Sequence, residues 1–223
     1  MSTVGCEIDS KKNNRRSFSP SCILLLNGFP GVGKLTIAKA LQIRLRHNNA
    51  PHRLIDNHLL IDPVVTIEPE RNTAHYFLRK SFRRTAFERL KALKEEELVL
   101  IFTACLVTSR VPTAYDDIEQ FGEYVDFAEA KGVPLVMFNI VCDLSANCGR
   151  LYSEERRKGA VGGKTKLVNI EVLEKIRQET SLLAREQVMA CKKGVNIVYF
   201  EVDTSDLAAG DAAEKVWDLL DKI

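Results

Sequence analysis

Apolar residues in this chain fall into short unbroken runs and helically spaced stripes, and the two kinds alternate. The runs CILLLN (22–27), ELVLIFTACL (97–106), PLVMFNIVC (134–142) and VNIVYFEV (195–202) show no sustained polar alternation. That is the pattern of strands buried on both faces, as in a parallel sheet. HRLID (52–56) is a shorter strand that ends in an acid. Ile37, Leu41 and Leu45 lie on one face of a helix after the first strand, and Leu78, Phe82, Phe87, Leu90 and Leu93 stripe a second helix over residues 73–94. A third helix stops near Gly132 and Pro134, and a fourth is predicted over 169–191. The last is DAAEKVWDLL (211–220), with Asp211 as its N-cap and Glu214 as the reciprocal partner. This order predicts a three-layer α/β domain, a parallel sheet of about five strands with helices on both faces. The polar residues 1–20 read as a disordered tail, and 21–223 as a single domain without internal repeats.

Composition narrows the partners. A formal net charge of +2 over 223 residues provides no global field for nucleic acid or a membrane surface. The cysteines (Cys6, Cys22, Cys105, Cys142, Cys148, Cys191) show no CxxC and no Cys/His ligand spacing, so free thiols in a reducing compartment are expected. No apolar stretch approaches the roughly 20 residues of a membrane span. The N-terminus carries Glu7 and Asp9 and lacks the apolar core of a secretory signal. The expected address is the cytosol, with Lys11, Lys12, Arg15 and Arg16 offering a nuclear alternative.

The chemistry concentrates after the first strand. GFPGVGKLT (28–36) sets Gly28, Gly31 and Gly33 around a tight turn, followed by Lys34 at a helix start. Glycines let successive backbone N–H groups turn inward around an anion, and the helix aims its positive end at the same point. A cation at that position opposes the helix dipole, which a plain strand-to-helix turn leaves unexplained. A dinucleotide GxGxxG is ruled out, because its third glycine would fall on Thr36. Gly28, Gly31, Val32, Gly33, Lys34, Leu35 and Thr36 are therefore the candidate phosphate-binding residues, with Lys34 reaching the β- and γ-phosphates. The Ser or Thr expected directly after the lysine is Leu35, and Thr36 follows one step later.

GFPGVGKLT resembles the variant loop of adenylate kinases, which carry a glycine and then a threonine after the lysine. More widely, the chain after residue 20 resembles small P-loop kinases of the adenylate, shikimate, gluconate and chloramphenicol phosphotransferase type, whose relatives often carry an AAA-domain label. The resemblance implies ATP and Mg²⁺ as cofactors and a small-molecule hydroxyl as phosphoryl acceptor. The metal would be held mainly by phosphates and waters, with Thr36 and Asp56 as its candidate protein ligands.

Asp56 closes the second strand, and open α/β sheets bind ligands at the carboxyl ends of their strands. In the family an acid at this place orients or deprotonates the acceptor; the alternative is that Asp56 caps the next turn, a common use of Asp-Asn pairs. His58 and Arg79 are candidate substrate contacts, although Arg79 and Arg83 also suit a solvated helix face. The third strand should end in Asp in a motor-type ATPase; Thr103 stands there, and the next acid is Asp116. Asp143 after the next strand is a weaker carboxylate candidate.

Residues 144–167 gather Arg150, Arg156, Arg157, Lys158, Lys164 and Lys166 with glycines at 159, 162 and 163. The resemblance implies a closing lid there, with Arg150 and Arg157 stabilising the transferring phosphoryl group. It also places Asp203, Thr204 and Ser205 beside the base, where simple capping is the alternative. The expected activity is ATP-dependent phosphoryl transfer to a small metabolite or nucleoside-like hydroxyl by a monomer or weak dimer, with a nucleotide-dependent ATPase or regulator as the alternative.

Overall fold

The computed structural model describes residues 21–94, 98–110, 117–154, 166–191 and 194–223. Its main sheet contains β1 (Cys22–Asn27), β2 (His52–Ile55), β3 (Val99–Ala104), β5 (Leu135–Val141) and β7 (Ile197–Asp203). They are all parallel, in the order β2-β3-β1-β5-β7. The helices are α1 (Lys34–His47), α2 (His58–Ile67), α3 (Thr73–Lys91), α4 (Ile118–Lys131), α5 (Leu144–Leu151), α6 (Ile170–Glu179), α7 (Arg185–Ala190) and α8 (Ala209–Leu220). Two further strands, β4 (Val107–Ser109) and β6 (Thr180–Leu182), form a small antiparallel ladder.

Alternate residues of the strands feed two cores. Leu24, Leu26, Val136 and Phe138 pack with Ile37, Leu41 and Leu45 of α1 and Val216 of α8. Ile23, Leu25, Leu100, Phe102 and Met137 pack with Phe87 of α3 and Phe121, Tyr124 and Phe127 of α4. Both faces are dry, which is why these strands read as continuous apolar runs. Phe87 lies at the centre of an aromatic cluster, stacked 4.9 Å from Phe127 and edge-on to Phe102 and Tyr124.

The five-stranded parallel sheet agrees with the pattern of the sequence, and β1 is its middle strand. The chain leaves β1 for β2 on one side and later adds β5 and β7 on the other. The order reverses at β1, so the crevice over its carboxyl end is where such sheets take ligands.

Two predicted elements differ, and one helix was not predicted. The expected 169–191 helix breaks at Thr180, whose backbone is extended (φ −134, ψ 162) and whose hydroxyl donates to Ile176 O at 2.6 Å. Residues 180–182 pair with 107–109 instead, and the Arg110 N–H donates to Glu179 O at 2.8 Å. Tertiary strand pairing thus overrides a helical pattern at Thr-Ser, two residues of modest helix propensity. The last helix begins at Ala209 rather than Asp211, with no side-chain cap, and Glu214 pairs with Arg44 at 3.1 Å. Residues 58–67 form a helix the pattern did not predict, because Pro63 interrupts it.

Candidate phosphate-binding site

The P-loop leaves β1 at Asn27 and enters α1 at Lys34. Gly28 is seated so closely that a Cβ there would lie 2.5 Å from Ile140 O and 2.9 Å from a Val32 methyl. Gly31 has φ +91, and a Cβ on it would meet Asn147 Nδ2 at 2.7 Å. Both need glycine for close approach as well as for backbone angle. The first turn of α1 holds no acid, and no side chain caps it, so its N–H groups keep the character of an anion site. The Lys34 ammonium folds back over the turn and donates to Gly28 O at 2.6 Å and Phe29 O at 2.8 Å. Leu35 is half-buried, and Thr36 is exposed on the first turn.

One flank of the loop is acidic. Ile55 of β2 is in register with Phe102 of β3, so Asp56 and Thr103 leave neighbouring strands side by side. The hydroxyl of buried Thr103 accepts from Asn57 N at 3.0 Å and donates to Asp56 Oδ1 at 2.6 Å. A carboxylate accepts and a backbone amide donates, so the hydroxyl proton points at Asp56. Asp56 is thus held by its neighbour strand, and Asn57 makes no side-chain cap on α2. Cys105, one residue past β3, shares this region: burial raises its thiol pKa, Lys34 and Arg79 lower it, and Asp117 raises it. Lys34 and Arg79 therefore lie within electrostatic reach of one point. His58 pairs with Asp62 at 3.1 Å along α2. Arg83 is buried against Glu123 of α4, so it braces helices and does not occupy a solvated face.

The other flank is basic. Arg150 lies on α5, which Asp143 caps by accepting from Ala146 N at 2.7 Å. Its guanidinium donates to Thr204 Oγ1 at 3.0 Å, to Thr204 O, to Leu207 O at 3.3 Å and to Ser205 O at 3.4 Å. Two groups expected at the site on separate grounds, Arg150 and residues 203–205, are thus brought together. Thr204 is turned inward, its hydroxyl donating to Val141 O at 3.0 Å. Asp203 accepts from the Ser205 hydroxyl at 2.6 Å and amide at 2.8 Å, and these bonds hold its carboxyl below the usual range. The capping alternative therefore describes this turn well. Arg157, with the remaining lid positions 155–165, lies outside the described residues.

Sequence reasoning passed over several residues that shape the site. Asn27 ends β1 and Asn139 lies inside β5, in register with each other, and Asn27 Nδ2 donates to Asn139 Oδ1 at 2.9 Å and to Leu106 O at 3.1 Å. Asn139 in turn donates to Leu183 O at 2.9 Å and to the Tyr199 hydroxyl at 2.8 Å. This buried ladder ties both connections of the small β4–β6 sheet to the carboxyl edge of the main sheet. Asn147 donates to Pro30 O at 2.9 Å, and Arg177 donates to Asn147 Oδ1 at 2.9 Å with its guanidinium 5.1 Å from the Phe29 ring centre. A polar residue at the end of one apolar strand (Asn27) and inside another (Asn139) was the available signal for the asparagines; nothing local marked Arg177.

No protein-family model and no curated protein sequence matches this chain. Solved structures do. A provisionally assigned kinase from Chloroflexus aurantiacus superposes with a TM-score of 0.57 at 12% identity, over 90% of this chain and 98% of that one. The two chains share one fold, a parallel α/β sheet with helices on both faces. The Deinococcus radiodurans tunicamycin resistance protein matches at TM-score 0.52 and 17% identity, over 90% and 96% of the two chains. The Mycobacterium tuberculosis APS kinase, solved with AMPPNP and APS, matches at 0.51 and 15%, over 90% and 97%. Coverage of nearly both chains means that the shared fold accounts for the main sheet and its helices together.

Within that fold, the candidate metal-binding groups are the Thr36 hydroxyl and the Asp56 carboxylate, both hard oxygen donors of the kind Mg²⁺ prefers. Among the described residues there is no cluster of three His, Cys, Asp or Glu side chains able to hold a metal unaided. A cation here would have to take most of its ligands from phosphate and water. Among the described residues no helix is long and apolar enough to cross a membrane.

Proposed function

We propose that this protein is an ATP-dependent phosphotransferase that moves the γ-phosphate to a hydroxyl of a small molecule. One observation carries the reading: the P-loop lysine and an oriented carboxylate, Asp56 held by Thr103, share the carboxyl edge of one sheet. Phosphoryl transfer needs positioning and charge neutralisation more than covalent chemistry. Loop amides and Lys34 would bind the β- and γ-phosphates, with Lys34 exchanging its loop carbonyls for phosphate oxygens. Asp56 would accept the proton of the attacking hydroxyl through the oxygen that Thr103 does not occupy. Mg²⁺, where bound, would neutralise phosphate charge, with Thr36 and Asp56 as its nearest protein oxygens. Arg150 would fix the 203–207 loop beside the base, and Arg157 would belong to the lid. His58 and Arg79 would border the acceptor. Neighbouring structures of this fold include one solved with AMPPNP and APS, which supports a nucleotide and a small second substrate. The remaining expectations stand with this proposal: residues 21–223 as one domain, a cytosolic address and a monomer or weak dimer.

The test is a metabolite screen scored by ATP consumption, with Lys34→Ala and Asp56→Asn as controls. Acceptor-stimulated turnover that both variants abolish supports the reading. ATP binding without stimulation by any acceptor would favour a plain ATPase or nucleotide-dependent regulator instead.

A further inference from the structure

On the β5–β7 side of the P-loop lies a cavity of about 540 Å³, within the size range of small-molecule sites. Val141, Asn139 and Tyr199 contribute from the sheet, Phe29 from the P-loop, and β6 with the start of α7 closes the remaining wall. The floor is rigid, because the Asn27–Asn139–Tyr199 ladder fixes it. Arg110, Arg177 and Arg185 line the cavity with Glu186 and Glu201, so guanidinium groups outnumber carboxylates three to two.

The arginines differ in how they are held. Arg177 is set in place: it donates to Asn147 Oδ1 at 2.9 Å and to Cys142 O at 3.0 Å, and it lies on the Phe29 ring. A guanidinium has five N–H donors, so these bonds leave others for a ligand. Arg110 and Arg185 are exposed, and among the described residues neither makes an ion pair.

We propose that this cleft binds a compact organic anion, a carboxylate or phosphate ester, gripped by Arg110, Arg177 and Arg185. Planar guanidinium forks suit both groups, which present paired oxygens. The small excess of positive charge and the limited volume suit a mono- or dianion rather than a polyanion such as nucleic acid. Glu201 and Glu186 both raise the pKa of the Tyr199 hydroxyl, after burial. That end of the cleft accepts hydroxyl or amino donors and repels a second acid. Arg177 also touches the P-loop twice, at Phe29 and through Asn147 at Pro30 O. A ligand that draws on Arg177 therefore bears on the phosphate loop, and this coupling rests on the nucleotide reading above. The binding itself does not.

The experiment is isothermal titration of the full chain with citrate and with glycerol 3-phosphate, in the presence of saturating AMPPNP so that the P-loop is filled. Saturable binding of either probe is expected, and the probe that binds tells carboxylate from phosphate. An Arg110→Ala/Arg185→Ala double variant should weaken it by roughly tenfold or more, with an unchanged unfolding midpoint. Lys34→Ala should leave it intact. Failure of both probes to bind at millimolar concentration would overturn the proposal, as would undiminished binding in the double variant. Binding that AMPPNP abolishes would also overturn it, because the anion would then occupy the P-loop. If AMPPNP itself does not bind, the kinase reading fails, and the titration of Lys34→Ala without nucleotide still decides the cleft.

Discussion

The two flanks of the P-loop use charge in opposite ways. On the β2–β3 side, Asp56 is anchored at one oxygen by a neutral hydroxyl from the next strand, and in the proposed function the other oxygen would take the acceptor proton. On the β5–β7 side, Arg150 and Arg177 donate to backbone carbonyls and to Asn147, so they hold loops in place. A charged group in a P-loop fold is thus not catalytic by virtue of its sign and position alone. What its remaining donors or acceptors face decides its role. Thr103 sharpens the point: it stands where a motor ATPase carries its acid, and here it orients an acid supplied by the neighbouring strand.

Breaking the centre should produce the largest effect. Lys34→Ala removes the cation from both flanks and should lower phosphoryl turnover about 100-fold or more, with fluorescent ATP-analogue binding weakened in parallel. Asp56→Asn tests the acidic flank alone: loss of a general base predicts turnover down by about 10²-fold or more, while analogue affinity changes little. Arg150→Ala tests whether the basic flank is structural. Losing charge-assisted bonds to Thr204 and its neighbours should cost about 2 kcal/mol of stability in urea unfolding. A variant that loses turnover at unchanged stability would instead make Arg150 a phosphate contact.

Finer changes should give smaller responses. Thr103→Val keeps the shape and removes the hydroxyl, and it should lower kcat roughly tenfold, the value of one hydrogen bond of about 1 kcal/mol or slightly more. Thr103→Ser should restore most of that rate, which a purely packing role would not predict. The smallest response belongs to Ser205→Ala. Because Ser205 holds the Asp203 carboxyl below its ordinary range, the bond adds stability above the unfolded carboxyl pKa, and that gain is lost as pH falls through the folded value. The variant should therefore differ from wild type near neutral pH and converge with it in acid, as followed by thermal unfolding.

Much of this comparison was legible in the chain. Unbroken apolar runs identified the parallel strands because both sheet faces are covered, and Gly28, Gly31 and Lys34 marked the loop because few residues tolerate its geometry. Asp56 was visible as the acid ending a strand. Its orienting partner was not, since Thr103 meets it only through strand register. The basic flank was misread in part for the same reason: the 169–191 pattern is helical, but pairing of Thr180–Leu182 with Val107–Ser109 is a long-range contact. Arg150 was expected to stabilise the transferring phosphoryl group; its bonds to carbonyls more than fifty residues away were not legible.

The most direct measurement is a crystal structure of the chain with Mg²⁺ and AMPPNP. The account predicts the phosphates cradled by residues 28–36, with Lys34 Nζ moved from the Gly28 and Phe29 carbonyls onto phosphate oxygens. It also predicts the free Asp56 oxygen facing the terminal phosphate across the acceptor space. Phosphates bound elsewhere, or an Asp56 carboxylate turned away from the terminal phosphate with Lys34 still on its loop carbonyls, would contradict it.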